Sequence, residues 1–281
     1  MMNAAVTTTC FGRRILVLVP HPDDEVVGVC AAIGRAIRDG ATVDLAVLSN
    51  GVPAREILWP WQRRHHQTLV ARRWRECEHV STAMRTRIAL RQDIPTRTLR
   101  LHLHSTRAAL DELIERLAPD RLWAPAYEGA HQDHDSAAWL ASTFVDRLPV
   151  FEFAEYSFAG GRRWSNAFFD ADRHRAQELL DLSAAEAADK RRLLACYASE
   201  RKNLHMARLH QEVLRVQPAH DFSRPPHPGK TWYQRFQWVP RHPRVDYTLP
   251  EQVCEAIAAV ERQTDYQHDD PPDRRRVTDP R

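Results

Sequence analysis

Arg14-Ile15-Leu16-Val17-Leu18-Val19-Pro20-His21-Pro22-Asp23-Asp24-Glu25 decides the fold. Its first half is an unbroken apolar run, the pattern of a strand buried on both faces of a parallel sheet. Pro20 withholds the amide that would continue the ladder, and Pro22 biases His21 toward an extended backbone. Three acids follow, and Val26-Val27-Gly28-Val29-Cys30-Ala31-Ala32-Ile33 then opens a helix. A histidine and three carboxylates therefore stand at the C-terminal end of a central strand, where open α/β sheets hold their ligands. The helix dipole and the free amides of a first turn also favour acids there, so the carboxylates alone decide nothing. A histidine wedged between two prolines has no such explanation.

Working outward, Asp39-Gly40 is a helix stop, and Thr42 to Ser49 reads as a second strand ended by Asn50-Gly51. Residues 52–67 are irregular, with Pro53 and Trp59-Pro60-Trp61. A helix is expected over about 67–85, a short strand over 88–90 and a helix over 106–117. A fourth strand spans 121–125, a helix 133–148, and residues 150–156 alternate like a half-buried strand. Strand–helix alternation from 14 to 156 predicts a Rossmann-like three-layer α/β/α fold with a mostly parallel sheet and right-handed crossovers. Gly160-Gly161 predicts a hairpin within 157–170, and helices are expected at 171–182, 184–200 and 251–262. The reading gives one domain over 13–200 and an irregular, proline-punctuated C-terminal extension over 201–263 that packs on it. Residues 1–12 read as a loose tail, and the polar, charged stretch 264–281 as a disordered one.

Lys and Arg total 40 against 37 Asp and Glu, a net +3 in 281 residues, so no basic field argues for nucleic acid. No apolar run approaches the ~20 residues of a membrane span, and the first ten residues lack the blocks of a signal peptide. Five cysteines, at 10, 30, 77, 196 and 254, are odd in number and form no Cys-x-x-Cys pair. They neither staple a secreted fold nor bind zinc by thiolate, and a cytoplasmic location is expected. Nothing in the sequence fixes an oligomeric state.

A second stretch, Gly129-Ala130-His131-Gln132-Asp133-His134-Asp135, again follows a short apolar strand and leads a helix. Two imidazoles and two carboxylates at a second strand end of the same sheet are hard to read as solvated surface. Taken together, Pro20-His21-Pro22-Asp23-Asp24-Glu25 and His131-Gln132-Asp133-His134 resemble the paired motifs of the LmbE/PIG-L family of zinc-dependent N-acetylglucosaminyl deacetylases. The similarity extends through Ser49-Asn50-Gly51 and Arg73-Trp74-Arg75-Glu76 to the helix Lys190–Glu200, and covers about 13–200.

The resemblance implies one zinc per chain, or Fe2+ or another divalent ion in its place, held by His21, Asp24 and His134. It implies Asp23 as general base and removal of an N-acetyl or longer N-acyl group from an amino sugar or its conjugate. Two imidazoles and one carboxylate leave one net positive charge at a divalent ion, which suits activation of water. His131 is the candidate partner of the developing oxyanion, with Asp133 expected to hold its other nitrogen and keep it charged; Asp133 also suits a plain N-cap. Arg73 and Glu76 either meet substrate hydroxyls or form a surface ion pair. Asn50 and Gly51 either line the pocket or only form the turn. Trp59 and Trp61 either stack on substrate or pack on the domain, and Arg63-Arg64-His65-His66 is a solvated basic face or an anion contact. The family often has an aromatic residue where this chain has Gly129, and Tyr127 is the candidate replacement; Glu200 stands where glutamine is usual. Rival readings are an amidase on a non-sugar amide, a metal-dependent phosphohydrolase, and a non-catalytic Rossmann-like sugar- or nucleotide-binding domain. The phosphohydrolase lacks its aspartate-rich cradle. The binding domain lacks a Gly-x-Gly-x-x-Gly turn and leaves Asp23 and His131 unexplained.

Overall fold

The computed structural model describes residues 9–170, 177–204 and 207–269. In chain order the elements are β1 (Arg14–Val19), α1 (Asp24–Arg38), β2 (Thr42–Val47), α2 (Pro60–Arg63), α3 (His66–Met84), β3 (Arg87–Arg91), α4 (Leu103–Leu117) and β4 (Arg121–Pro125). They continue with α5 (Gln132–Ser142), β5 (Val150–Phe153), β6 (Tyr156–Ala159), β7 (Arg162–Ser165), β8 (Gln177–Asp181), α6 (Ala184–Cys196), α7 (Arg201–Leu204), β9 (Gln211–Val216) and α8 (Pro250–Asp269). Seven strands form one sheet in the order β3-β2-β1-β4-β5-β9-β8. The first five are parallel; β9 runs antiparallel to β5, and β8 antiparallel to β9.

The apolar run of β1 explains why it is central. Ile15, Val17 and Val19 enter one core with α1, α3 and α6 residues such as Val26, Trp74 and Leu193. Leu16 and Leu18 enter the other, with α4, α5 and α8 residues such as Leu110, Leu140 and Ile257. Both faces are thus covered, as a parallel sheet requires. β1 pairs with β2 on one side and β4 on the other, so the winding reverses between β1 and β4. That reversal opens a crevice beyond their carboxyl ends, and the two sequence motifs lead out of these two strands.

The strands at 14–19, 42–47, 87–91 and 121–125 and the Gly160-Gly161 hairpin, β6–β7, agree with the sequence reading. The helix expected at 171–182 does not form as read: residues 177–181 are strand β8, and 171–176 lie outside the described residues. The helix expected to reach 148 ends at Ser142, and all of β5 is buried rather than half-buried. β9 arises from residues read as irregular and joins the main sheet between β5 and β8. α8 runs to Asp269, inside the stretch read as a disordered tail; 270–281 and 1–8 lie outside the described residues. No helix among the described residues is long and apolar enough to cross a membrane.

α1 is kinked at Val29 (φ −139°, ψ 23°). The amides of Ala31 and Ala32 beyond the kink donate to Glu212 of β9, whose carboxylate also receives Lys190 Nζ at 2.7 Å. Gly28 allows the close approach of α1 to β5, since a Cβ there would collide with the Phe153 ring.

Candidate metal centre

Pro20 ends β1, and the chain turns so that the amide of His21 donates to Asp24 Oδ2 at 2.8 Å. Asp24 opens α1, while His134 lies in the first turn of α5. The fold brings these two helix starts together. His21 Nδ1 and His134 Nε2 each lie 3.1 Å from Asp24 Oδ2 and 3.3 Å from each other. All three residues are buried. Three donor atoms in a triangle of this size fit a single cation: tetrahedral coordination at about 2.0–2.1 Å puts neighbouring ligand atoms roughly 3.3 Å apart.

The electrostatics fit as well. Burial opposes charge on His21, but Asp24 and Asp133 outweigh it and push the imidazole up to about 10. Burial likewise opposes charge on Asp24, yet His134 and His21 hold its carboxyl well below the usual range. The pocket calls for positive charge at its centre. The other nitrogen of His21, Nε2, meets Asp133 Oδ2 at 3.0 Å, the carboxylate–histidine arrangement that fixes a ligand imidazole's tautomer and orientation. Asp133 is itself held by Thr96 Oγ1 and the amides of Arg97 and Leu99.

This placement corrects the role expected of Asp133. Its carboxylate serves His21 and stays 3.7 Å from His131 Nδ1. That nitrogen instead accepts the Asp133 backbone N–H at 3.1 Å, as the N-cap of α5. An Nδ1 that accepts leaves the proton on Nε2 and the ring neutral. Burial and the neighbouring His21 also drive the His131 pKa well below its usual value. His131 is therefore a neutral N–H donor on the cavity wall, not a cation.

Asp23 stands beside the triangle at the N-cap of α1, with φ 135° and ψ −23°. Such a conformation costs a non-glycine residue about 1–3 kcal/mol and marks functional strain. Arg73 of α3 reaches in to hold it: its Nη2 donates to Asp23 Oδ2 at 3.0 Å and to the Pro22 carbonyl. Burial raises the Asp23 pKa well above the carboxylate range; Arg73 opposes the rise and Asp24 adds to it.

His21, Asp23, Asp24, Arg73 and His131 line a cavity of 610 Å³ with Gly51, Glu155, Tyr156, Arg97 and Trp232. Gly51, at φ 69°, lets Arg73 pass: a Cβ there would lie 2.8 Å from its Nε. The other expected substrate contacts fall elsewhere. Asn50 forms the turn, accepting the Val52 amide and donating to the Asp93 carbonyl. Tyr127 turns away, its hydroxyl donating to the Arg224 carbonyl at 2.7 Å. Trp59 and Trp61 stack on each other at 5.3 Å, outside the cavity lining, with Trp61 62% exposed. Glu76 pairs with Arg72 and accepts from Ser199. Arg63 ties down the carbonyls of Leu58 and Glu56.

Sequence reasoning missed Glu155 and Tyr156 at the start of the hairpin. The C-terminal extension, expected to pack on the domain, walls the cavity with its 231–246 segment. That segment docks on the second motif: Thr231 packs on Gly129, Asp246 accepts from Gln132, and Arg97 donates to the carbonyls of Pro243, Arg244 and Val245. The sequence signal there was proline-rich irregularity with interspersed aromatics.

Fold and site together define an α/β protein with a convergent His–Asp–His cation centre at the switch point of its sheet. The model of one family, PIG-L: GlcNAc-PI de-N-acetylase, matches residues 16–145. The chain thus carries a PIG-L (LmbE) family domain. Among solved structures, A40926 pseudoaglycone deacetylase superposes with a TM-score of 0.56 at 16% identity, covering 74% of this chain and 99% of that one. Teicoplanin deacetylase in its zinc-inhibited form gives 0.53 at 16%, covering 74% and 100%. N,N'-diacetylchitobiose deacetylase from Pyrococcus horikoshii gives 0.52 at 16%, covering 73% and 84%. No curated protein matches the sequence.

Proposed function

We propose that the protein is a metal-dependent hydrolase that removes an N-acetyl or N-acyl group from an amino sugar or its conjugate, yielding the carboxylic acid and a free amine. The observation that carries this reading is the triangle of His21 Nδ1, Asp24 Oδ2 and His134 Nε2 with a buried, high-pKa Asp23 beside it. The PIG-L domain and the deacetylases that share the fold support it.

Zinc is the expected ion, one per chain, on the His/His/Asp donor set; once bound it would polarise the amide carbonyl and the attacking water. Asp23 takes a proton from that water as its oxygen bonds the carbonyl carbon, and delivers it to the nitrogen as the C–N bond breaks. Its raised pKa suits a group that must first accept and then give a proton near neutral pH. Arg73 opposes the rise and favours its ionised form. The neutral His131 donates its Nε2–H toward the oxygen where negative charge develops, a role that needs no charge on the ring. The cavity accepts a small molecule, with Arg73, Gly51, Tyr156 and Trp232 meeting the substrate. Five unpaired, scattered cysteines support the cytoplasm as its location.

The test is metal content followed by acid release. The unmodified protein should carry about one zinc per chain, lost in Asp24→Ala and His134→Ala. Asp23→Asn should keep the metal and lose turnover of N-acetylated sugars. A protein that takes up no divalent ion, or an Asp23→Asn variant that still turns over, overturns the reading.

A further inference from the structure

Each ligand imidazole offers one nitrogen to the triangle and turns the other away from it. For His21 the outward nitrogen has a carboxylate partner, Asp133, at 3.0 Å. For His134 it has none: Nδ1 is buried without a hydrogen-bond partner. The carboxyl of Glu155 faces it with Oε2 3.8 Å away; neither oxygen meets a partner in hydrogen-bond geometry, and the Asp24 carboxylate is its electrostatic neighbour. His134 is 1% exposed and Glu155 3%.

Two orphaned buried groups facing each other are a costly arrangement. An imidazole whose Nε2 points at Asp24 and His21 as a ligand must carry its proton on Nδ1, the side that faces Glu155. A buried N–H without an acceptor and a buried carboxyl without a partner are each unfavourable. Both penalties vanish if the 3.8 Å gap closes by under about 1 Å into hydrogen-bond range. The backbone is set for this. Glu155 lies in the two-residue corner between β5 and β6, where its carbonyl accepts from the Asn166 amide and the preceding Ala154 amide donates to Val213. Only the side chain needs to move.

We propose that Glu155 is a positioning residue that receives the Nδ1–H of His134, giving each ligand histidine its own carboxylate: Asp133 for His21, Glu155 for His134. This rests on the cation reading of the site but not on the reaction assigned to it. Glu155 belongs to neither sequence motif; it lies ten residues beyond the segment that the family model matches.

The experiment compares zinc affinity of chelator-stripped unmodified protein, Glu155→Ala and Glu155→Gln by competition with a chromogenic chelator. Loss of such a partner weakens metal binding by about 10- to 100-fold. Glu155→Ala should show that loss, while Glu155→Gln, whose amide oxygen still accepts an N–H, should recover part of it. An affinity for Glu155→Ala within twofold of the unmodified protein, at unchanged circular dichroism, overturns the proposal. Proton NMR of the zinc-loaded unmodified protein with 15N-labelled histidine gives an answer without any variant. The His134 Nδ1–H should be downfield and protected from exchange, and a proton exchanging as fast as an exposed imidazole's overturns the role. Neither measurement uses substrate. Failure to release acid would therefore sink the deacetylase reading alone, and normal zinc affinity in Glu155→Ala would sink the role of Glu155 alone.

Discussion

Replacing Arg73 by methionine isolates what sets the proton affinity of the base. Asp23 is lifted by burial, and Arg73 is the strongest opposing influence, its Nη2 3.0 Å from Asp23 Oδ2. Unit charges 3.0 Å apart at an effective dielectric constant of about 20 interact by about 5.5 kcal/mol. Both groups spread their charge over several atoms, so that figure is a ceiling; neighbours at this range shift a carboxyl by about 1–3 units, or about 1.4–4 kcal/mol. The sign follows directly. Losing the guanidinium destabilises the carboxylate, raises the Asp23 pKa further and leaves the base protonated over more of the pH range. The acidic limb of kcat against pH should move up by about 1–3 units, with activity below the limb falling about tenfold per unit. Arg73→Lys, which keeps the charge, should leave the limb near its original place even if kcat drops through lost geometry. Metal content, measured in parallel, should stay at one ion per chain, since Arg73 touches no ligand atom. An Arg73→Met enzyme with a uniformly lower kcat and an unmoved limb would refute the reasoning and make Arg73 a structural or substrate contact only.

Gly51→Ala tests the same assembly from its other side. The left-handed backbone and the 2.8 Å approach to Arg73 Nε should cost about 1–2 kcal/mol of stability and lower kcat by about 10- to 100-fold by displacing the guanidinium, with zinc content intact. A variant with normal kcat would show that Arg73 tolerates displacement. Lys190→Met breaks a fully buried ion pair and should cost about 3–5 kcal/mol in urea unfolding, partly recovered in Lys190→Met/Glu212→Gln. A loss below about 1 kcal/mol would mean that the α1 amides alone satisfy Glu212.

The clustering of His21, Asp24 and His134 was legible because these residues sit where strand ends must lie. Pro20 and the apolar run fix the end of β1, and His134 follows β4 by one short loop. What stayed hidden depends on side-chain direction. Tyr127 and Trp59 occupy loops at the right end of the sheet, yet one points to the Arg224 carbonyl and the other stacks on Trp61. The tautomer of His131 could not be read without knowing that the Asp133 carboxylate turns to His21. β9 was masked because Glu212 and Arg215 interrupt its apolar pattern; both are buried, made tolerable by Lys190 and Glu152 across space. β8 carries Gln177-Glu178-Leu179-Leu180, good helix formers whose preference yields to pairing with β9.

The segment 16–145 holds His21, Asp24, His134, Asp23 and His131, but not the contacts that aim them. The strained Asp23 backbone persists because its surroundings over-determine it. Asp23 N–H donates to Glu25 Oε2 at 3.1 Å, and the other Glu25 oxygen is held by the hydroxyl of Tyr197, after α6. Arg73 Nη1 is steadied by Ser199 Oγ, two residues further on, and Ser199 is anchored in turn by Glu76. Glu212, from β9, fixes α1 beyond its kink, and Trp232 meets the ring of Tyr156, which in turn meets that of His134. Four separate pieces of the C-terminal half therefore converge on α1 and on His134. The antiparallel edge β9–β8 gives them their geometric reason: by turning the chain back across β5, it delivers α6 and β9 against α1, the helix that opens with Asp23 and Asp24. In this protein the precision of the centre is a property of the whole sheet, and not of the two motifs that reveal it.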